Sequence, residues 1–176
     1  TLTCYLESLD RPLALYPTRG TVSAQPAEGA RSPRVFLFSG PLISSIVPDG
    51  AGAHLLELGQ LDDKSSIKAE LAFPVEAPLA AEAPYTRVMF SAAATSCSFC
   101  HRDEVPDHAV GSGVAYRSRA LRPVPEERVS LADLEAEQRL CDATAEPERC
   151  ALLDALLAHG PVVHQEFPPG LPTLFE

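Results

Sequence analysis

Ile67-Lys68-Ala69-Glu70-Leu71-Ala72-Phe73 is the stretch that decides the fold class. Ile67, Ala69, Leu71 and Phe73 alternate with Lys68, Glu70 and Ala72. A period of two places the apolar set on one face of a β-strand and the rest on the other. Pro74 and Pro78 end the run, and Ala77–Pro84 reads as a loop. Upstream, Val35–Phe38 is a short apolar run bounded by Pro33 and Gly40-Pro41, which fits a buried strand. Leu42–Val47 reads as another, closed by Pro48-Asp49-Gly50, and His54–Leu58 as a third. Downstream, Tyr85–Phe90 and Gly113–Leu121 complete the set, the latter alternating Val114, Tyr116, Ser118 and Ala120 with Ala115, Arg117 and Arg119. The first two-thirds of the chain is therefore expected to be mainly antiparallel β, a sandwich or open barrel.

The last third changes period. Ser130 precedes Leu131, with Asp133 three residues on, a helix start of the capping-box kind. Pro147 suits the first turn of a second helix, whose apolar positions are Leu152, Leu153, Leu156 and Leu157. His159-Gly160-Pro161 ends it. The expected class is thus α+β, an antiparallel β sandwich or open barrel with a C-terminal helical hairpin. Residues 1–34, rich in Pro and Gly, read as an N-terminal arm with one short strand near Leu2–Leu6. Residues 35–176 form a single β-rich domain, with a motif-bearing loop at 91–112, the hairpin at 130–160 and an extended tail at 161–176.

Composition narrows the function. The 176 residues are 45% hydrophobic and 22% charged, globular proportions. No apolar run is long enough for a membrane span. No charged-then-apolar leader opens the chain, so any export signal is expected to have been removed already or never present. Acidic residues outnumber basic ones by 24 to 14, giving a net charge of −10. That balance argues against nucleic acid and anionic lipid as partners and favours basic proteins. The chain has two Lys (Lys64 and Lys68) and twelve Arg, and with 17 Pro this bias suggests a GC-rich bacterial source.

The five cysteines are Cys4, Cys97, Cys100, Cys141 and Cys150. Cys141 and Cys150 flank a short connection between the two helices and are read as a disulfide staple. Such bridges persist outside the reducing cytosol, so a periplasmic or extracellular protein is expected.

Cys97-Ser98-Phe99-Cys100-His101 carries the chemistry. Two thiols three residues apart on one helical turn can each add to a vinyl group of a haem, and the next residue turns its imidazole toward the iron. These five residues resemble the attachment site of c-type cytochromes. The resemblance implies a covalent haem c held by Cys97 and Cys100, with His101 as its proximal ligand, and one-electron transfer as the activity. The motif lies mid-chain between two expected strands with no Met after it, unlike the small all-helical cytochromes c, in which it sits near the N-terminus and a Met follows.

Candidates for the sixth iron position are Met89, the one methionine, and His108, beside Asp107; an open position binding a diatomic gas or peroxide is a further reading. Arg117 and Arg119, which share a strand face, are candidate partners of the haem propionates. Three other readings of the motif stand beside haem: structural zinc on Cys97 and Cys100 with His101, His108 or the later pair Cys141 and Cys150, a redox dithiol, or a plain Cys97–Cys100 disulfide in a secreted accessory subunit. The haem reading implies redox partner proteins with a basic docking face, met as a shuttle or as a subunit of a larger exported assembly.

Overall fold

The computed structural model describes residues 1–76 and 78–176; Ala77, in the expected loop Ala77–Pro84, lies outside the described residues. Among the described residues, ten strands and four α-helices form, in chain order, α1 (Leu2–Glu7), β1 (Leu13–Thr18), β2 (Arg34–Ser39), β3 (Leu42–Ile46), β4 (Leu55–Asp62), β5 (Ser65–Ala72), α2 (Ala83–Arg87), β6 (Met89–Ser91), β7 (Ala94–Thr95), β8 (Val105–Val110), β9 (Gly113–Arg119), α3 (Leu131–Arg139), α4 (Pro147–Leu157) and β10 (Val162–His164). Eight strands join one open sheet in the order β10-β1-β2-β3-β4-β5-β9-β8, and β6 pairs with β7 apart from it. Every pairing is antiparallel except that of β1 with β10. The fold is α+β, with a mainly antiparallel sheet and C-terminal helices.

The period of two read from β5 holds around it. Leu13 and Leu15 of β1, Val35 and Leu37 of β2, Ile46 of β3, Leu56 of β4 and Leu71 of β5 gather on one face of the sheet. Leu2 and Leu6 of α1, Leu134 of α3, and Leu152, Leu153, Ala155 and Leu156 of α4 pack onto them. The hairpin lays its leucines on the sheet as expected. Ser130 caps α3, its hydroxyl accepting the Asp133 N–H at 3.1 Å. The Cys141–Cys150 disulfide joins the end of α3 to the first turn of α4. Arg149 is 3% exposed and reaches back from α4 to Glu137 of α3 at 2.7 Å, so a buried ion pair seconds the covalent link.

The structure departs from the sequence reading at both ends and before the motif. Leu2–Glu7 is a helix where a short strand was expected: the Thr1 hydroxyl accepts the Cys4 N–H, and the spacing of Leu2 and Leu6 turns both into the core. Residues 13–18, inside the expected arm, form β1 and bring Leu13 and Leu15 to the core. Tyr85–Phe90, expected as a strand, is instead α2 followed by β6, because Pro84 is suited to a helix's first turn. Val105–Val110, in the expected loop 91–112, is edge strand β8, whose exposed polar residues hid it. Its hairpin with β9 turns at Gly111, where φ is 55°. The tail supplies β10 and then runs back over the second face of the sheet.

Candidate cofactor site on the second sheet face

The face of the sheet turned away from the helices forms a groove. Arg34 and Phe36 of β2, Ile43 and Ser45 of β3, Glu57 and Gly59 of β4, and Ser66 and Lys68 of β5 lie along it. Over them sit Cys97, Cys100 and His101 on one side, and Phe167, Leu171, Leu174 and Phe175 of the tail on the other. Its cavity volume is about 220 Å³, below the ~300–1,000 Å³ of common ligand pockets, and it opens to solvent, so a large flat ligand would sit in it partly exposed.

A single 3-10 turn, Ser96–Phe99, presents the motif. Thr95 begins it, and its hydroxyl accepts the Cys97 N–H at 3.2 Å. Glu104 fixes Thr95 in turn, one carboxylate oxygen accepting the Thr95 N–H at 2.8 Å and the other its hydroxyl. The Cys97 carbonyl accepts the N–H groups of Cys100 at 3.1 Å and His101 at 2.8 Å. Ser96 N–H donates to Val88 O at 2.8 Å, and Arg119 N–H to Arg102 O at 2.9 Å. The motif is thus clamped between the strap 88–95 and strand β9.

His101 Nδ1 lies 2.8 Å from the Arg119 carbonyl oxygen. A carbonyl only accepts, so Nδ1 carries the proton and Nε2 keeps its lone pair. Burial, followed by the charge of Lys68, pushes the His101 pKa down to about 4. The ring is therefore neutral at physiological pH, the form that binds a metal. An imidazole fixed through Nδ1 to a backbone carbonyl is the usual outer support of a ligating histidine.

Cys97 and Cys100 are unbridged thiols. Burial raises the Cys97 pKa, against the opposing effects of the Thr95 hydrogen bond and the Lys68 charge. A redox dithiol needs the opposite, a lowered pKa that supplies thiolate. Among the described residues, no group of three or more His, Cys, Asp or Glu side chains comes together to hold a bare metal ion. Cys141 and Cys150, the later pair, are bonded to each other. A porphyrin brings four of the iron's donors itself and needs only one or two from the protein, so this donor set suits haem better than zinc.

The cations along the groove are Arg34, Lys68 and Arg122. Arg34 pairs with Glu57 at 2.7 Å and donates to Ser45 Oγ at 2.9 Å. Glu57 Oε1 is buried with no hydrogen-bond partner. Arg122 Nε donates to Leu171 O at 2.8 Å and so holds the tail in place.

The other residues singled out in the sequence lie elsewhere. Arg117 binds Asp107 at 2.6 Å and also Asp62, and Arg119 binds Asp103 at 2.6 Å; neither side chain lines the groove. The two do share a strand face, but that face is spent on surface pairs. Met89 lies in β6 opposite Thr95, outside the groove lining. His108 is exposed on β8, with Nδ1 2.6 Å from Asp107 Oδ2, the carboxylate neighbour its sequence position implied.

Sequence reasoning missed Arg34, Glu57, Lys68 and the tail aromatics. Alternation marks Lys68 as facing away from Leu71, which ordinarily means solvent. The available signal was the tail itself: Phe167, Leu171, Leu174 and Phe175 need an apolar surface to cover, and the helices had already taken the other face.

No known protein family, curated protein or solved structure matches this chain. No helix among the described residues is long and apolar enough to cross a membrane.

Proposed function

We propose that the chain is a monohaem c-type cytochrome that carries single electrons between proteins. One observation supports this reading above the rest. The two free thiols and the neutral, carbonyl-anchored imidazole of Cys97-x-x-Cys100-His101 line an open groove that is mostly apolar and supplied with cations. In this reading the Cys97 and Cys100 thiols each add S–H across one vinyl group, leaving two thioethers and needing no oxidant. His101 Nε2 would hold the iron, its tautomer fixed by the Arg119 carbonyl. Ile43 and Phe167 would shield a porphyrin from water, and Arg34 and Arg122 line the same groove as cations for its propionates. When bound, the haem would supply one-electron exchange between a reduced and an oxidised partner protein.

The Cys141–Cys150 disulfide supports an exported location, where haem c is also attached. The charge of −10 favours partners with a basic face, met singly or within a larger assembly.

The test is expression with an active haem c maturation apparatus. The expected product is coloured, has a Soret band with sharp reduced-state bands, and shows the mass of one haem that survives denaturation. Cys97→Ala/Cys100→Ala is expected to lose the covalent mass. A colourless product whose only mass loss is that of disulfides would overturn the reading in favour of an accessory scaffold.

A further inference from the structure

The groove contains one nitrogen donor that the attachment motif does not account for. Lys68 projects from β5, an inner strand of the sheet, between Gly59 on β4 and Tyr116 on β9. Gly59 has no side chain to fill the floor beside it, and the nearest groups to a Cβ built there are Ile43 O at 3.7 Å and Ser66 Oγ at 4.0 Å. The Lys68 ammonium donates to Ser66 Oγ, and none of the ion pairs among the described residues includes it. An ammonium has three donors, so a half-buried lysine with one hydroxyl partner leaves two of them for whatever occupies the groove.

Resting on the haem reading above, we propose that Lys68 is the sixth ligand of the haem iron, binding through the neutral Nζ, with His101 as the fifth. The set of donors along the groove carries this. Outside the attachment motif, Lys68 is its only nitrogen or sulfur donor suited to iron: Met89, His54, His108, His159 and His164 are absent from the lining, and a guanidinium does not ligate. Of the carboxylates, Glu57 is bonded to Arg34 and Glu70 to Arg87 at 2.6 Å, and Glu127 lies against Gly20 at the arm end.

Burial is the main influence on the Lys68 amine and lowers its pKa to about 8; Cys97 and Glu57 act against the shift and Arg34 with it. The competing role for Lys68 is that of a cation for a propionate, and the experiment separates the two.

The experiment compares haem-loaded wild-type protein with Lys68→Ala, Lys68→Met and Lys68→Arg. Haem content is read first, from the denatured pyridine complex, so absence of haem condemns the haem reading by itself and the ligand assignment with it. In loaded protein, ferric wild type is expected to be low-spin, with the electron paramagnetic resonance and near-infrared signature of two nitrogen ligands. Lys68→Ala and Lys68→Arg are both expected to turn high-spin. Both are also expected to bind added imidazole on the order of tenfold more tightly or better, because the internal ligand no longer competes. Lys68→Met is expected to stay low-spin with a sulfur-donor signature, which shows that the pocket is intact. A low-spin spectrum unchanged in Lys68→Ala would overturn the assignment while leaving haem in place. A reduction potential that shifts in Lys68→Ala and is restored by Lys68→Arg, with no change of spin state, would assign Lys68 to a propionate instead.

Discussion

His101 is the residue on which pH dependence turns. In the unfolded chain its imidazole titrates near the usual 6.5; in the folded, haem-free chain burial brings it down to about 4. Between those values the unfolded state binds the extra proton, so acid favours unfolding. The stability tied to His101 is full above pH 6.5 and declines as pH falls toward 4. The loss is at most about 3 kcal/mol, less once solvent access through the groove mouth is discounted. Thermal melting of the haem-free chain should therefore show a midpoint that falls as pH is lowered from 7 to 4.5. His101→Gln, which can still donate to the Arg119 carbonyl, should flatten part of that fall; an identical slope would place the titration in other groups. The attachment motif was legible because its residue types and spacing are local in sequence. Lys68 was not, because a lysine facing a groove and a lysine facing water obey the same alternation. Arg117 and Arg119 show the converse: strand phase put them on one face, but only the fold could show that Asp62, Asp103 and Asp107 wait there.

Elements were legible where their cues were local and strong. The Ser130 cap, Pro147 and the leucine spacing located α3 and α4, and the cysteine spacing located their bridge. The Cys141–Cys150 link closes a short loop, and removing it by Cys141→Ser/Cys150→Ser should cost about 2–3 kcal/mol. Urea unfolding of the two proteins would read this as a lower midpoint with little change in slope. No change would mean that the Arg149–Glu137 pair and the leucine packing hold the hairpin unaided. Elements were illegible where tertiary contacts overrode the local pattern. Strand β1 lay in a Pro-rich stretch, and Pro17 is tolerated inside it. Strand β8 carries Pro106, Asp107 and His108 on the sheet edge, so it shows no apolar face. Strand β10 has three residues and takes its partner from the far end of the chain, which no window of sequence contains.

For the whole molecule, charge and layering set the terms of association. Under the proposed function, a net charge of −10 predicts that electron exchange with a basic partner protein slows steeply as ionic strength rises, because screening removes the steering field. Stopped-flow rates measured from low to physiological salt would show it; a flat profile would mean that docking is apolar. Phe90 and Phe99, the latter within the motif, stand exposed in edge contact at 4.9 Å between ring centres. They would be the natural source of such salt-independent contact.

The three-layer arrangement also imposes an order in time. Residues 97–101 and the groove floor leave the ribosome well before residues 167–175, which roof the groove. During vectorial synthesis or export, the two thiols thus stand beside an unroofed trough until the last stretch arrives. Phe167 then seals it, packing edge-on against Tyr16, Phe36 and Phe38 at 5.3, 5.1 and 5.0 Å between ring centres. Under the proposed function, a prosthetic group entering before closure needs no breathing motion of the finished sheet.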